Sequence, residues 1–177
     1  SAPVAGLPIV LLRITLPASS AQLRATDTMA IAWENDELIA SVKLEFSTQD
    51  FAGGTITTLA ASTDNDGSLD GAGLNDPGLW QIPDIATNNA KLRITSMTEG
   101  YDAVHTVGPF TIVQVDLLAP NGTETLRMGA TGMSISWNVA GAVPSDFVLE
   151  YSTDAAHDDN SWTVIPGTEA GIDPIAS

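Results

Sequence analysis

The sequence has no cysteine, only 6 basic residues, two histidines and no long apolar run. Without cysteine there are no disulfides, thiolate nucleophiles or cysteine-ligated zinc sites, and among extracellular proteins this favours a microbial source. The 22 acidic residues give a net charge of −16, which repels nucleic acid and anionic membranes. No window reaches the roughly 18 apolar residues of a membrane-spanning helix. We therefore expect neither nucleic-acid binding nor membrane insertion.

The sequence also contains few of the motifs that indicate catalysis. His105 and His157 are far apart in the chain, and no serine lies in a Gly-x-Ser-x-Gly elbow. Carboxylate pairs that hydrolyse glycosides converge in space and leave no sequence pattern, but nothing here favours them. We predict a protein that is not an enzyme, with no catalytic residues and no required cofactor.

The chain does contain an internal repeat. The segment MAIAW at 29–33 recurs as MSISW at 133–137, about 104 positions later, and VKLEFST at 42–48 recurs as FVLEYST at 147–153. Both alternate apolar with small or polar residues, which is typical of a strand with one buried face. The alternation places Val42, Leu44 and Phe46 inward. A repeat of this length predicts β modules.

Further strands are predicted at 55–59, 79–83, 90–96, 107–115 and 161–165. The fold class is therefore all-β, with tandem immunoglobulin-like β-sandwiches of which the second is incomplete. The predicted divisions are 1–9 (the closing strand of a preceding module, or an N-terminal arm), 10–114 (a complete sandwich) and 115–177 (the first half of a second).

The second module has no counterpart of the strands around 79–83, 92–94 and 110–112. Half a sandwich leaves an open apolar face and unpaired strand edges. Three explanations are open: a longer tandem array, strands donated by a neighbouring chain, or disorder in the second half. No Gly or Pro lies between Phe110 and Ala119, so we predict one strand shared by both modules and a stiff junction.

The order of features in module one resembles the immunoglobulin-like module of the Ser-Thr-rich, Kre9/Knh-type cell-surface family. These features are Pro17, the strand ending at Trp33, VKLEFS at 42–47, GS at 67–68, LWQIP at 79–83, LRITS at 92–96 and GPFTI at 108–112. The segment NSWTVI at 160–165 fits the same pattern, whereas the insertion at 69–78 departs from it. The resemblance implies an extracellular β-sandwich that serves as a spacer or structural unit in microbial surface proteins, without catalytic residues.

A loop at 62–78 is acidic and rich in glycine. Four of its carboxylates are candidate calcium ligands, since calcium takes six to eight oxygens: Asp64, Asp66, Asp70 and Asp76. The spacing departs from the helix-loop-helix calcium motif, because Leu69 stands at the sixth position and Asn75 at the twelfth. Asp, Asn and Gly are also the commonest turn formers, so the alternative is a plain loop.

Two other kinds of surface site are predicted. Asn121 begins an Asn-Gly-Thr sequon after Pro120, a candidate glycosylation site in a secreted protein. Trp33 and Trp137 alternate with inward residues and are predicted to fill cores. Trp80 and Trp162, in short strands near loops, are the candidates for sugar binding.

These features favour a non-catalytic structural repeat module of an extracellular microbial surface protein, fibre or filament. Its expected partners are like modules of the same or a neighbouring chain, bound through β-strand contacts. The alternative function is an adhesin or a carbohydrate-binding accessory module that recognises surface glycans.

Overall fold

The computed structural model describes residues 10–73, 75–122, 124–125, 127, 129, 132–141, 148–153, 162–166 and 168. The predicted N-terminal arm at 1–9 lies outside these residues. Two compact units are present, and the division falls between Gln114 and Val115. Among the described residues, no helix is long and apolar enough to cross a bilayer.

All regular structure in the described residues is β. The strands are β1 (Arg13–Leu16), β2 (Gln22–Arg24), β3 (Thr28–Met29), β4 (Ile31–Glu34), β5 (Ser41–Ser47), β6 (Ile56–Asp64), β7 (Ser68–Leu69), β8 (Trp80–Gln81), β9 (Thr87–Ser96), β10 (Val104–Ala119), β11 (Ser136–Ala140), β12 (Glu150–Ser152) and β13 (Trp162–Val164).

Two antiparallel sheets make up most of the first unit. One has the order β1-β4-β7, and the larger has the order β10-β9-β5-β6 within this unit. The short strand β2 adds to β10 in parallel, while β3 pairs with β8. The two sheets enclose one apolar core, so the unit is an immunoglobulin-like β-sandwich.

Alternating residues of both sheets supply that core. Ile31 and Trp33 come from β4, and Leu44, Leu92 and Phe110 come from the larger sheet; all are buried. Polar neighbours on the same strands, such as Lys43, point the other way, as strand geometry requires. The predicted fold class and the inward face of 42–46 are confirmed.

Gly108 allows β9 and β10 to approach where their register shifts. Its φ is +128°, and a Cβ atom there would lie 2.7 Å from the carbonyl oxygen of Ala90. The register shift falls between Val107 and Phe110, so the glycine permits an irregularity that returns Phe110 to the core.

The region 55–78 differs from its prediction. β6 extends to Asp64, because its ladder with β5 continues through two irregularities to the pair Ser41↔Asp64. The predicted loop also contains β7, whose Leu69 is buried and pairs with Ile31. Burial of one apolar side chain thus converts part of an acidic loop into an edge strand.

The second unit repeats the pairing of β5 with β6 residue by residue. Tyr151 pairs with Thr163 and Ser152 with Trp162, just as the equivalent residues of the first unit pair: Phe46 with Thr57 and Ser47 with Ile56. Identical register in both copies shows that the repeat is structural.

One strand, β10, runs without interruption from Val104 to Ala119. The backbone therefore continues as a strand past the division after Gln114. The stiffness expected of this junction stays a prediction.

Candidate functional site

The acidic loop is closed by its own hydrogen bonds. The carboxylate of Asp76 accepts the backbone N–H groups of Asp70 (2.8 Å), Gly71 (2.7 Å) and Gly78 (2.8 Å). Burial raises the pKa of Asp76, but the backbone hydrogen bonds, with Gly73 as a further donor, outweigh it and leave this pKa below its usual value. The Asp76 carboxylate therefore links the backbone at Asp70 and Gly71 to the backbone at Gly78.

The other predicted calcium ligands do not converge. Asp70 accepts N–H of Ala72 and the hydroxyl of Ser68, Asp66 accepts N–H of Ser68, and Asp64 ends β6. Within the described ranges no three His, Cys, Asp or Glu side chains are grouped to hold a metal ion. The loop geometry supports turn formation, and calcium binding stays a prediction.

Asn65, at the start of this loop, is a hub that the sequence did not single out. Its Oδ1 accepts the indole N–H of Trp33 at 2.7 Å, and its amide nitrogen donates to the carbonyl oxygens of Asp36 (3.0 Å) and Ile39 (2.9 Å). Asn35 in turn donates to the Asn65 carbonyl. An asparagine among turn formers carries no sequence signal for such a role.

The two tryptophans predicted to bind sugar have different environments. Trp80 is only 5% exposed, and its ring centroid lies 5.3 Å from that of Phe46 and 6.3 Å from that of Phe110. A ring packed between core aromatics presents no face to a sugar. Trp162 is 43% exposed and is the sugar-binding candidate that the structure places at the surface.

Two further polar residues have defined contacts. Asn121, the predicted glycosylation site, is exposed, and its backbone N–H donates to Glu124. His105 Nδ1 accepts the backbone N–H of Ile14 at 3.2 Å. Burial, and then the charge of Arg13, lower the pKa of His105, which suits a ring that acts as an acceptor.

Glu45 is the most buried carboxylate described. Arg93 donates to its Oε2 from Nε (2.9 Å) and from a terminal nitrogen (2.7 Å), and Lys43 reaches the other oxygen. Burial raises the pKa of Glu45, and the bonds to Lys43 and Arg93 lower it further than burial raises it. The Arg93 guanidinium also lies 4.2 Å from the ring centroid of Phe51. This network fixes β5 against β9.

Among the described residues of the second unit, few side chains are buried. Tyr151 is 49% exposed, although its equivalent Phe46 is 5% exposed beneath Trp80. Among residues described beyond 114, only Thr168 is buried. Trp137 has a buried Nε1 with no hydrogen-bond partner among the described residues, whereas Trp33 donates to Asn65. Among the described residues of this unit, the apolar side chains of Val148, Tyr151 and Trp162 are about half exposed, and exposed apolar surface is typical of an interaction site when it is contiguous.

No protein-family model matches the chain, and no curated protein matches it. Among solved structures, the chain is similar to the CbhA fibronectin(III)-like modules of Clostridium thermocellum at 15% sequence identity, with a TM-score of 0.31. The match covers 79% of this chain and 66% of that one, just under two thirds of its length.

Proposed function

We propose that this protein is a non-catalytic structural module of an extracellular microbial surface protein, fibre or filament, and that it assembles with like modules through β-strand contacts. The observation that carries the proposal is that the second unit repeats the strand pairing of the first but leaves its aromatic residue exposed. Its strands keep the register of the first unit, while Tyr151 is exposed where Phe46 is covered. Exposed sheet surface and strand edges are the usual means by which β-proteins add strands from a partner.

Sequence features that indicate a cellular location agree with the resemblance to the Kre9/Knh-type surface modules. The lack of cysteine, the strongly acidic surface and the sequon at Asn121 are compatible with a secreted or cell-surface location. Several described carboxylates and His105 are engaged in structural contacts, such as the Glu45–Arg93 bonds, the Asp76–backbone bonds and the bond from Ile14 to His105. Structural use of these groups supports a module without catalysis.

Self-association tests this proposal. Sedimentation velocity of the 177-residue chain is expected to show reversible oligomers as protein concentration rises, and more of them at high salt, which screens the −16 charge. Electron microscopy shows whether the oligomers form filaments. A monomer at every concentration and salt level would refute assembly with like modules.

Trp162 favours an alternative function, a carbohydrate-binding or adhesive module. Its ring is 43% exposed on β13, as stacking on a sugar requires. A glycan array decides between the two functions. Binding that disappears with Trp162→Ala but persists with Trp80→Phe would establish the alternative.

A further inference from the structure

A polar cleft lies in the first unit between β1 and β10. Its volume is about 340 Å³, within the range of about 300–1,000 Å³ that is typical of small-molecule sites. Arg13 and Thr15 line it from β1, and His105 and Thr106 line it from β10. Ser19 adds a third hydroxyl group from the turn after β1. The cleft thus brings together one guanidinium, one imidazole and three hydroxyl groups.

The charge at this cleft is opposite to that of the protein as a whole. Acidic residues outnumber basic ones by 22 to 6 in the sequence, yet none of the described residues that line the cleft is acidic. Arg13 does form an ion pair with Glu34, but the two groups are 3.8 Å apart, which is beyond hydrogen-bond distance. The guanidinium therefore has donors left for a ligand. Acidic groups more than about 8 Å away are largely screened at physiological ionic strength.

His105 supplies a second donor through its tautomer. Its Nδ1 accepts the backbone N–H of Ile14 at 3.2 Å, so the neutral ring carries its proton on Nε2. Burial, and then the charge of Arg13, lower the pKa of His105, so the two side chains are close enough to act on one ligand. An anion in the cleft would meet a fixed positive charge and an N–H donor.

We propose that this cleft binds the carboxylate of an acidic sugar such as a hexuronate. The planar fork of an arginine matches a carboxylate, and one fixed positive charge balances one negative charge. Hydroxyl groups of a sugar ring pair with those of Thr15 and Thr106 as donors or acceptors, while the Ser19 hydroxyl, which donates to the Gly108 carbonyl, accepts. The inference goes beyond the proposed function and does not depend on it, because every lining residue named lies in the first unit.

Titration of the full 177-residue chain with glucuronate near neutral pH, followed by NMR, tests the inference. The imidazole C–H signals of His105 report on the cleft, and a His157→Gln background removes those of the second histidine. We expect saturable shifts with a dissociation constant in the millimolar range, since a monosaccharide makes few contacts in an open cleft. Glucose, which lacks the carboxylate, should cause no shift at the same concentrations.

Arg13→Gln and Arg24→Gln form a matched pair of variants. Both arginines are exposed strand residues, but only Arg13 lines the cleft. Arg13→Gln should weaken glucuronate binding by about tenfold or more, because it removes charge-assisted hydrogen bonds, whereas Arg24→Gln should change it by less than about twofold. Unchanged melting temperatures of both variants show that the fold is retained.

Three results would overturn the inference. The first is no shift of the His105 signals at millimolar glucuronate. The second is an equal loss of affinity in Arg13→Gln and Arg24→Gln, which would show that overall charge governs binding. The third is equal affinity for acetate and glucuronate, which would leave the sugar ring without a role in recognition.

Discussion

Asn65→Ala tests the hub that joins the acidic loop to the core. The substitution removes three side-chain hydrogen bonds: one from Trp33 and two to the carbonyls of Asp36 and Ile39. Trp33 is buried, so its indole N–H gains no bond from water in exchange. At roughly 0.5–1.5 kcal/mol per bond, the free energy of unfolding of the first unit should fall by about 2–4 kcal/mol.

Urea denaturation followed by tryptophan fluorescence measures this loss. A background of Trp137→Phe and Trp162→Phe leaves only Trp33 and Trp80, both in the first unit, as reporters. The midpoint should fall with an unchanged slope, because the native surface is unaltered. In a thermal scan the same loss corresponds to about 10 °C or more.

Asn35→Ala is the matched control, because it is the same truncation beside the same loop. Asn35 donates one exposed hydrogen bond, to the Asn65 carbonyl, so the expected cost is about 0.5–1 kcal/mol. If Asn65→Ala costs no more than Asn35→Ala, the hub reasoning is refuted.

Three other predictions concern charged groups. Arg93→Ala leaves the Glu45 carboxylate buried with fewer donors, and urea titrations should show a loss of about 2–4 kcal/mol at pH 7. Because the folded pKa of Glu45 is lowered, that loss should be full above about pH 4.5 and shrink as pH falls through the folded pKa; an unchanged loss at pH 3 would contradict the assignment. The lowered pKa of His105 favours the neutral folded ring, so stability should decline as pH falls below about 6.5, and His105→Gln should flatten this decline between pH 7.5 and 5. Asp76→Ala should lower the free energy of unfolding by about 1–2 kcal/mol through lost backbone hydrogen bonds. EDTA should leave the melting temperature of the original chain unchanged. A rise of several degrees with added calcium would show that the loop is a metal site.

Local pattern was enough to predict the strands at 42–48, 90–96 and 107–115, whereas the strand predicted at 133–137 begins only at Ser136 and extends to Ala140. The face of 42–46 and the burial of Trp33 followed from period-two spacing alone. The equivalence of β12 to β5 followed from the repeat, and the pairing of Tyr151 with Thr163 confirms the register that the repeat implies.

Where an element is short, the sequence gives no such guidance. β8 has two residues, too few for a period to show which face is buried, so the environment of Trp80 depends on the distant partners Phe46 and Phe110. The roles of Asn65 and Asp76 depend likewise on backbone groups brought close by the fold. Turn-forming residues look alike in sequence whether they brace a loop, bind an ion or do neither.

The two copies of the repeat show which properties of a strand depend on its own sequence and which depend on its neighbours. Register is the same in both, so pairing is encoded within the repeat. Burial differs between the two copies. Phe46 is covered by Trp80, whereas Tyr151, whose phenol tolerates water, is half exposed.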